Sequence, residues 1–142
     1  MSEPNELNIE GQKNSAQKTG FFTVLPAELL STATRTSGQF TNPYSNGLIL
    51  TVVVANEAGS CSFTPKLQTV NGYGTAFVWW TASTAITANG TYQYLIYPVS
   101  ITSSAFTEIA VFPVPSTWQL VLTYAGTPAT DKMDTKASAS YI

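Results

Sequence analysis

From Phe21 onward, apolar and polar residues alternate with a period of two, and Val, Ile and Thr are frequent. Turn-forming residues recur roughly every 8–12 positions, the pattern of an all-β sandwich or barrel. "LILTVVVAN" (48–56) is the strongest strand, with Leu48, Leu50, Val52 and Val54 on one face and Ile49, Thr51, Val53 and Ala55 on the other. Both faces are largely apolar, which predicts a central strand. "TWQLVLTYAG" (117–126) alternates almost as well, setting Trp118, Leu120, Leu122 and Tyr124 against Thr117, Gln119 and Thr123.

The remaining segments are read from their punctuation. "FFTVL" (21–25) predicts a short strand stopped by Pro26, and "PAELLS" (26–31) at most one helical turn. "LLSTATRTS" (29–37) reads as extended, "NPYSNG" (42–47) as a loop, and "NEAGS" as a turn into "CSFTPKLQTV" (61–70). Pro65 cannot donate to a ladder, so it is expected at a sheet edge or a bulge. "NGYG" (71–74) predicts a hairpin turn through positive φ at Asn-Gly, leading into "TAFVWWTAS" (75–83). "TYQYLIYPV" (91–99), "TEIAVFPVP" (107–115, cut short by its prolines) and "KASASYI" (136–142) complete a set of about eight strands with no convincing helix. Residues 1–20 are polar and lack a periodic apolar face, so they read as an extended N-terminal arm ahead of a single domain over 21–142, with Leu7 and Ile9 as its candidate contacts.

Composition changes this picture in one respect. Charged residues make up 10% of the chain, well below the roughly 25% usual for soluble domains. Only Arg35, Glu57, Lys66 and Glu108 carry charge between residues 29 and 130. A surface of Thr, Ser, Asn and Gln repels itself weakly and suits a protein that lies against neighbours. The net charge of −2, with no basic cluster, argues against a nucleic-acid partner. No apolar run is long enough to span a membrane as a helix, and the first residues lack the basic and apolar stretches of a signal peptide. The single cysteine, Cys61, leaves no internal disulfide and fits synthesis in a reducing cytoplasm. "NGT" at Asn89 reads as a turn rather than a glycosylation site.

The residues for common chemistries are missing. There is no histidine, which removes Ser-His-Asp and Cys-His catalysis and His-containing metal sites. Glycoside hydrolysis would need two of Glu28, Glu57, Glu108, Asp131 and Asp134 to converge. "DKMD" (131–134) falls short of a calcium loop and reads as a solvated turn. We therefore expect no enzyme activity, no cofactor and no metal.

The aromatic residues carry the functional reading. "FVWWTASTAITANGTYQYLIYPV" (77–99) gathers Phe77, Trp79, Trp80, Tyr92, Tyr94 and Tyr97 without a charge among them. Consecutive strand residues face opposite ways, so Trp79 and Trp80 cannot both enter one core. The outward face is a candidate interface for a protein or a sugar. Flanking Ala, Ser and Thr, in place of the Asp, Asn or Arg that grip hydroxyls, favour the protein.

"NGLILTVVVANEAGSCSFTPKLQTV", "GTAFVWWTASTAITANGTYQYLIYPV" and "VPSTWQLVLTYAGTPATD" resemble, in that order, segments of small β-sandwich virion proteins of tailed bacteriophages. The resemblance covers residues 47–142. It implies an antiparallel, jelly-roll-like β-sandwich that acts as a capsid decoration (cement) protein. Such a protein sits on the virion surface as a homotrimer, is bound to the phage major capsid protein, and is made in the bacterial host cytoplasm. The alternatives from the same setting are a tail or head-fibre module that binds host glycans, or a minor head or tail structural protein.

Overall fold

The computed structural model describes residues 20–31, 33–42, 47–126 and 131–142. The arm with Leu7 and Ile9, most of the loop expected at 42–47, and residues 127–130 lie outside the described residues. In chain order the strands are β1 (Phe22–Ser31), β2 (Arg35–Thr36), β3 (Phe40–Thr41), β4 (Leu48–Ala58) and β5 (Ser62–Val70). They continue with β6 (Ala76–Thr81), β7 (Gly90–Tyr97), β8 (Glu108–Val111), β9 (Thr117–Ala125) and β10 (Lys132–Tyr141). No helix occurs among the described residues.

One sheet has the order β1-β10-β4-β7-β8 and the other β2-β9-β5-β6, with β3 also on β9. The pairing is nested: β1 with β10, β2 and β3 with β9, β4 with β7, and β5 with β6. A long hairpin rolled so that its strands fall alternately into two sheets gives this order, which is the jelly-roll sandwich. Period-two alternation then builds the core. Leu48, Leu50, Val52 and Val54 of β4, with Ile96 of β7 beside them in the same sheet, face Phe63 and Leu67 of β5 and Leu120 and Leu122 of β9 across the interior, all buried. The opposite face of β4 is half-buried, and β4 is central in its sheet as expected.

Several expectations are corrected. Pro26 does not stop β1, and residues 26–31 form strand, not a helical turn. β1 is a sheet edge, and its register on β10 shifts between Leu25 and Glu28, so the missing N–H of Pro26 falls where the ladder is already broken. Pro65 sits in an interior strand, paired with Leu122 on one side. Its carbonyl accepts from the Ala82 N–H at 2.9 Å, just past the end of β6, so its nitrogen faces the point where the partner chain leaves the sheet. β10 begins at Lys132, and "DKMD" is not a solvated turn. Asp131 is buried and accepts from the Ser60 N–H at 3.0 Å, while Asp134 accepts from the Asn56 side-chain amide at 2.5 Å.

The sandwich is also not wholly antiparallel. Residues 98–107 carry the chain back along the sheet, so β8 runs parallel to β7 from Tyr94↔Glu108 to Tyr97↔Val111. Thr107 anchors that return: its N–H donates to the Gln93 carbonyl at 2.7 Å and its hydroxyl accepts from the Gln93 N–H at 3.0 Å. The 71–74 turn is where the sequence puts it, with a different mechanism. The Asn71 side chain accepts from the N–H groups of Tyr73 and Thr75, both at 2.9 Å, and positive φ falls on Gly74.

Candidate interaction surface

β6 is the outer strand of its sheet, paired with β5 alone. Phe77 opposes Thr69, Val78 opposes Gln68, and Trp80 opposes Leu67, so Trp79 is an extra residue, a β-bulge. The bulge breaks simple alternation. Thr69 and Leu67 share a face, so Phe77 and Trp80 point the same way although they are three positions apart. Trp80 enters the core, where its ring meets Tyr94 edge-on at 5.4 Å and 62°. Phe77 lies on the same side but past the covered part of the sandwich, and stays exposed. Val78 follows Gln68 outward.

The bulged Trp79 is the outward tryptophan. Its ring N–H donates to the Pro113 carbonyl at 2.7 Å, linking β6 to the chain after β8. A second link joins the same two edges: the Ser83 N–H donates to the Glu108 carboxylate at 3.0 Å. β6 of one sheet and β8 of the other therefore border one edge of the sandwich.

The other candidate aromatics divide by burial. Tyr94 is a core residue. Tyr92 is half-buried and donates its hydroxyl to the Ala88 carbonyl at 2.7 Å. Tyr97 is half-buried against Gly47, where a Cβ would come within 2.3 Å of its ring, so only glycine fits that position. Of the candidate aromatics, Phe77 and Trp79 are the exposed ones, and Tyr73, Val78 and Val111, which the aromatic count alone missed, are exposed as well. A different signal marks the first two of these. Residues 68–107 contain no charged side chain at all, and Tyr73 and Val78 lie within that stretch.

The titratable groups offer no assembled reaction centre among the described residues. Glu28 pairs with Arg35, Glu108 with the Ser83 N–H, Asp131 with the Ser60 N–H and Asp134 with Asn56. No group of three or more Cys, Asp or Glu gathers as a metal cage there. Cys61 borders a shallow depression of about 480 Å³ with Glu57 and Ser60. Burial pushes its thiol upward, and Asp131 and Glu57 push the same way, so it is a poor nucleophile at neutral pH.

Burial raises the phenols of Tyr94 and Tyr141 as well. The Glu108 carboxylate and Tyr92 add to the shift at Tyr94, and the Trp118 hydrogen bond opposes it at Tyr141. These groups hold their protons more tightly in the folded chain than in the unfolded one. Their stabilisation is complete below the unfolded values and is lost as pH climbs through the folded ones. The urea midpoint is expected to fall from about pH 9 upward, with no histidine step near neutrality. A higher midpoint at about pH 10 than at about pH 7 would contradict this.

Fold and surface together define a jelly-roll β-sandwich with an exposed apolar outer strand, β6, that holds no charged residue. No family model matches the chain, and no curated protein matches it. Among solved structures it is similar to a chain of infectious bursal disease virus, Gx strain, at a TM-score of 0.42 and 15% identity over 84% of this chain and 31% of that one. A chain of the Gt strain of the same virus is similar at a TM-score of 0.38 and 13% identity, over 86% of this chain and 33% of that one. The chain spans about a third of the length of those viral chains.

Proposed function

We propose that the chain is a structural protein of a virion, a decoration protein that binds the outside of a capsid shell and stabilises it. One observation carries this reading: a jelly-roll sandwich presents an exposed apolar outer strand, β6, without a charged residue, while Glu28, Glu108, Asp131 and Asp134 are held in separate local bonds. Such a strand offers contact area and little chemistry. The resemblance to small virion proteins of tailed bacteriophages supports the same conclusion and supplies the partner, a major capsid protein. Area buried across seams between shell subunits resists their separation, and repetition over the shell turns weak contacts into strong retention.

The arm, residues 1–20, adds reach in this scheme. An extended chain covers up to about 3.3–3.6 Å per residue, enough to cross a neighbouring subunit. Among the described residues the buried core starts at Val24, and deleting residues 2–19 is expected to leave the thermal midpoint unchanged and to weaken binding to purified shells. Undiminished occupancy by the shortened protein would remove the arm from the mechanism.

A second reading, a glycan-binding module, rests on the exposure of Tyr73, Phe77 and Trp79. Against it, the Trp79 ring N–H is already engaged, and no charged side chain lies in residues 68–107 to grip sugar hydroxyls.

A further inference from the structure

The two ends of the sandwich differ in charge. In one sheet the start of β1, the end of β10, the start of β4 and the ends of β7 and β8 lie together. The pairs Phe22↔Ala139, Tyr141↔Leu48, Leu48↔Ile96 and Tyr97↔Val111 require it. In the other sheet β3, the start of β9 and the 71–75 turn between β5 and β6 share an end, through Thr41↔Thr117, Gln68↔Gln119 and Val70↔Ala76. The Trp118 ring N–H donates to the Tyr141 hydroxyl at 2.9 Å, so both sets belong to the same end of the molecule.

That end is apolar. Phe21, Tyr73, Phe77, Val99, Val111 and Ile142 lie at its strand ends or in the chain just beyond them, six of the nine large hydrophobic residues exposed among the described ones. The segments that build it, 20–25, 40–42, 47–50, 67–77, 95–99, 111–120 and 137–142, hold no charged side chain. Glu28, Arg35, Glu57, Asp131 and Asp134 all lie toward the opposite end, where Glu28 pairs with Thr135, Arg35 with Leu122 and Asp134 with Ala55. Tyr73 is 95% exposed, yet its turn is fixed by the Asn71 side chain, so little ordering is left to be lost on contact.

The arm does not suit this end as a cover. Residues 1–19 hold Glu3, Glu6, Glu10, Lys13 and Lys18, and pressing them on an uncharged apolar surface strips water from charges without a partner. The arm does leave from this end, at Phe21, so it starts where the occupant of the end lies. Its 19 residues extend up to about 60–70 Å, against about 36 Å for the 11 residues of β4. A chain of that length fits an occupant broader than a second copy of the domain. Five strands and two layers give the end itself an area on the order of 500 Å², short of the roughly 800 Å² per partner of a stable interface. The arm supplies the remainder.

We propose that the sandwich stands end-on on the shell, with its uncharged end and the arm as one footprint and the charged end facing solvent. The proposal rests on the decoration reading and adds to it the orientation and the partner surface. That surface is an apolar, uncharged area on the outer face of the shell subunit.

The test is binding of the full chain to purified shells, measured by co-sedimentation over a concentration series. Tyr73→Lys and Val99→Lys each place a charge inside the footprint, one from each sheet, on side chains that face solvent in the free protein. Ala125→Lys adds the same charge at an exposed position at the opposite end and serves as control. All three are expected to keep the wild-type thermal midpoint. A125K is expected to bind as the wild type does, and Y73K and V99K at least about tenfold more weakly. Hydroxyl-radical labelling of decorated shells supplies a readout on the wild type alone. Tyr73 is expected to be shielded on the shell, and Tyr124, near the other end, to react as in the free protein.

Wild-type affinity in Y73K and V99K, or an equal loss in A125K, overturns the end-on footprint and leaves the decoration reading standing. So does a Tyr73 that labels equally on and off the shell. If the two footprint variants lose mass by light scattering and still bind shells, the occupant is a second copy and the proposal fails. A wild type that ignores shells defeats the decoration reading, and this proposal with it.

Discussion

Trp118→Ala is expected to destabilise the domain by about 3–5 kcal/mol, lowering its thermal midpoint by roughly 10–20 °C. Trp118 has no exposed surface. Its ring stacks on Phe40 at 4.9 Å, lies 6.4 Å from Phe22, and meets Tyr141 edge-on at 6.4 Å and 87°. These rings belong to β9 and β3 of one sheet and β1 and β10 of the other, so the indole locks the two layers where the first and last strands meet. Its N–H also donates to the Tyr141 hydroxyl at 2.9 Å, and that hydroxyl donates onward to the Thr41 carbonyl. Truncation opens a cavity of indole size and strips the hydroxyl of its donor. Trp118→Phe keeps much of the ring volume and loses mainly the hydrogen bond, for a smaller cost of about 1–2 kcal/mol plus any packing gap. Urea titrations should show the midpoint falling with an unchanged slope. A loss under about 1 kcal/mol for the alanine variant would mean that the layers are joined elsewhere.

Arg35→Ala is expected to cost about 2–4 kcal/mol, and Glu28→Gln no more than about 1 kcal/mol, although the two residues form one ion pair. The asymmetry follows from burial. The Arg35 side chain is 9% exposed and that of Glu28 55%, with 2.8 Å between them. The guanidinium also donates to the Thr135 carbonyl at 2.6 Å, the Thr135 hydroxyl at 3.0 Å and the Pro26 carbonyl at 2.8 Å. One side chain from β2 thereby ties down both β1 and β10 of the opposite sheet. Removing it leaves the buried Thr135 with acceptors that water does not reach, whereas removing the Glu28 charge ends only a solvent-screened attraction. Arg35→Lys should recover part of the loss, since an ammonium cannot span three acceptors in a fork. Equal losses for R35A and E28Q would contradict this assignment.

How much of this was legible in the sequence depended on whether local pattern and tertiary role agreed. β4 alternates cleanly, β9 does so apart from the buried Val121, and both bury the expected faces, so their positions were readable to within two residues. β10 was readable only from Lys136, because Asp131 and Asp134 look solvated until Ser60 and Asn56, far away in the chain, are folded against them. β1 was cut short at Pro26 because sequence does not reveal that the strand is an edge with a broken register. The parallel β7–β8 pair is likewise a product of how residues 98–107 cross the sheet, which no local signal encodes.

At the candidate surface, the crowding of aromatics was plain and its geometry was not. Nothing in "FVWWT" announces a bulge, yet the bulge at Trp79 sends Trp80 inward, leaves Phe77 on the inner side beyond its cover, and turns Val78 to solvent. The stretch without charges was visible throughout. It became meaningful once it was found to include the outer strand of a sheet.

The central claim is that this chain is a structural coat component present in many copies on a shell. Under the proposed reading the chain is encoded by a tailed phage, and quantitative mass spectrometry of that phage's purified particles tests this most directly, by comparing its amount with that of the major shell subunit. The account predicts comparable molar amounts, released together from the outside of intact shells. Absence from the particles, or a trace amount that fractionates with tails, would contradict it.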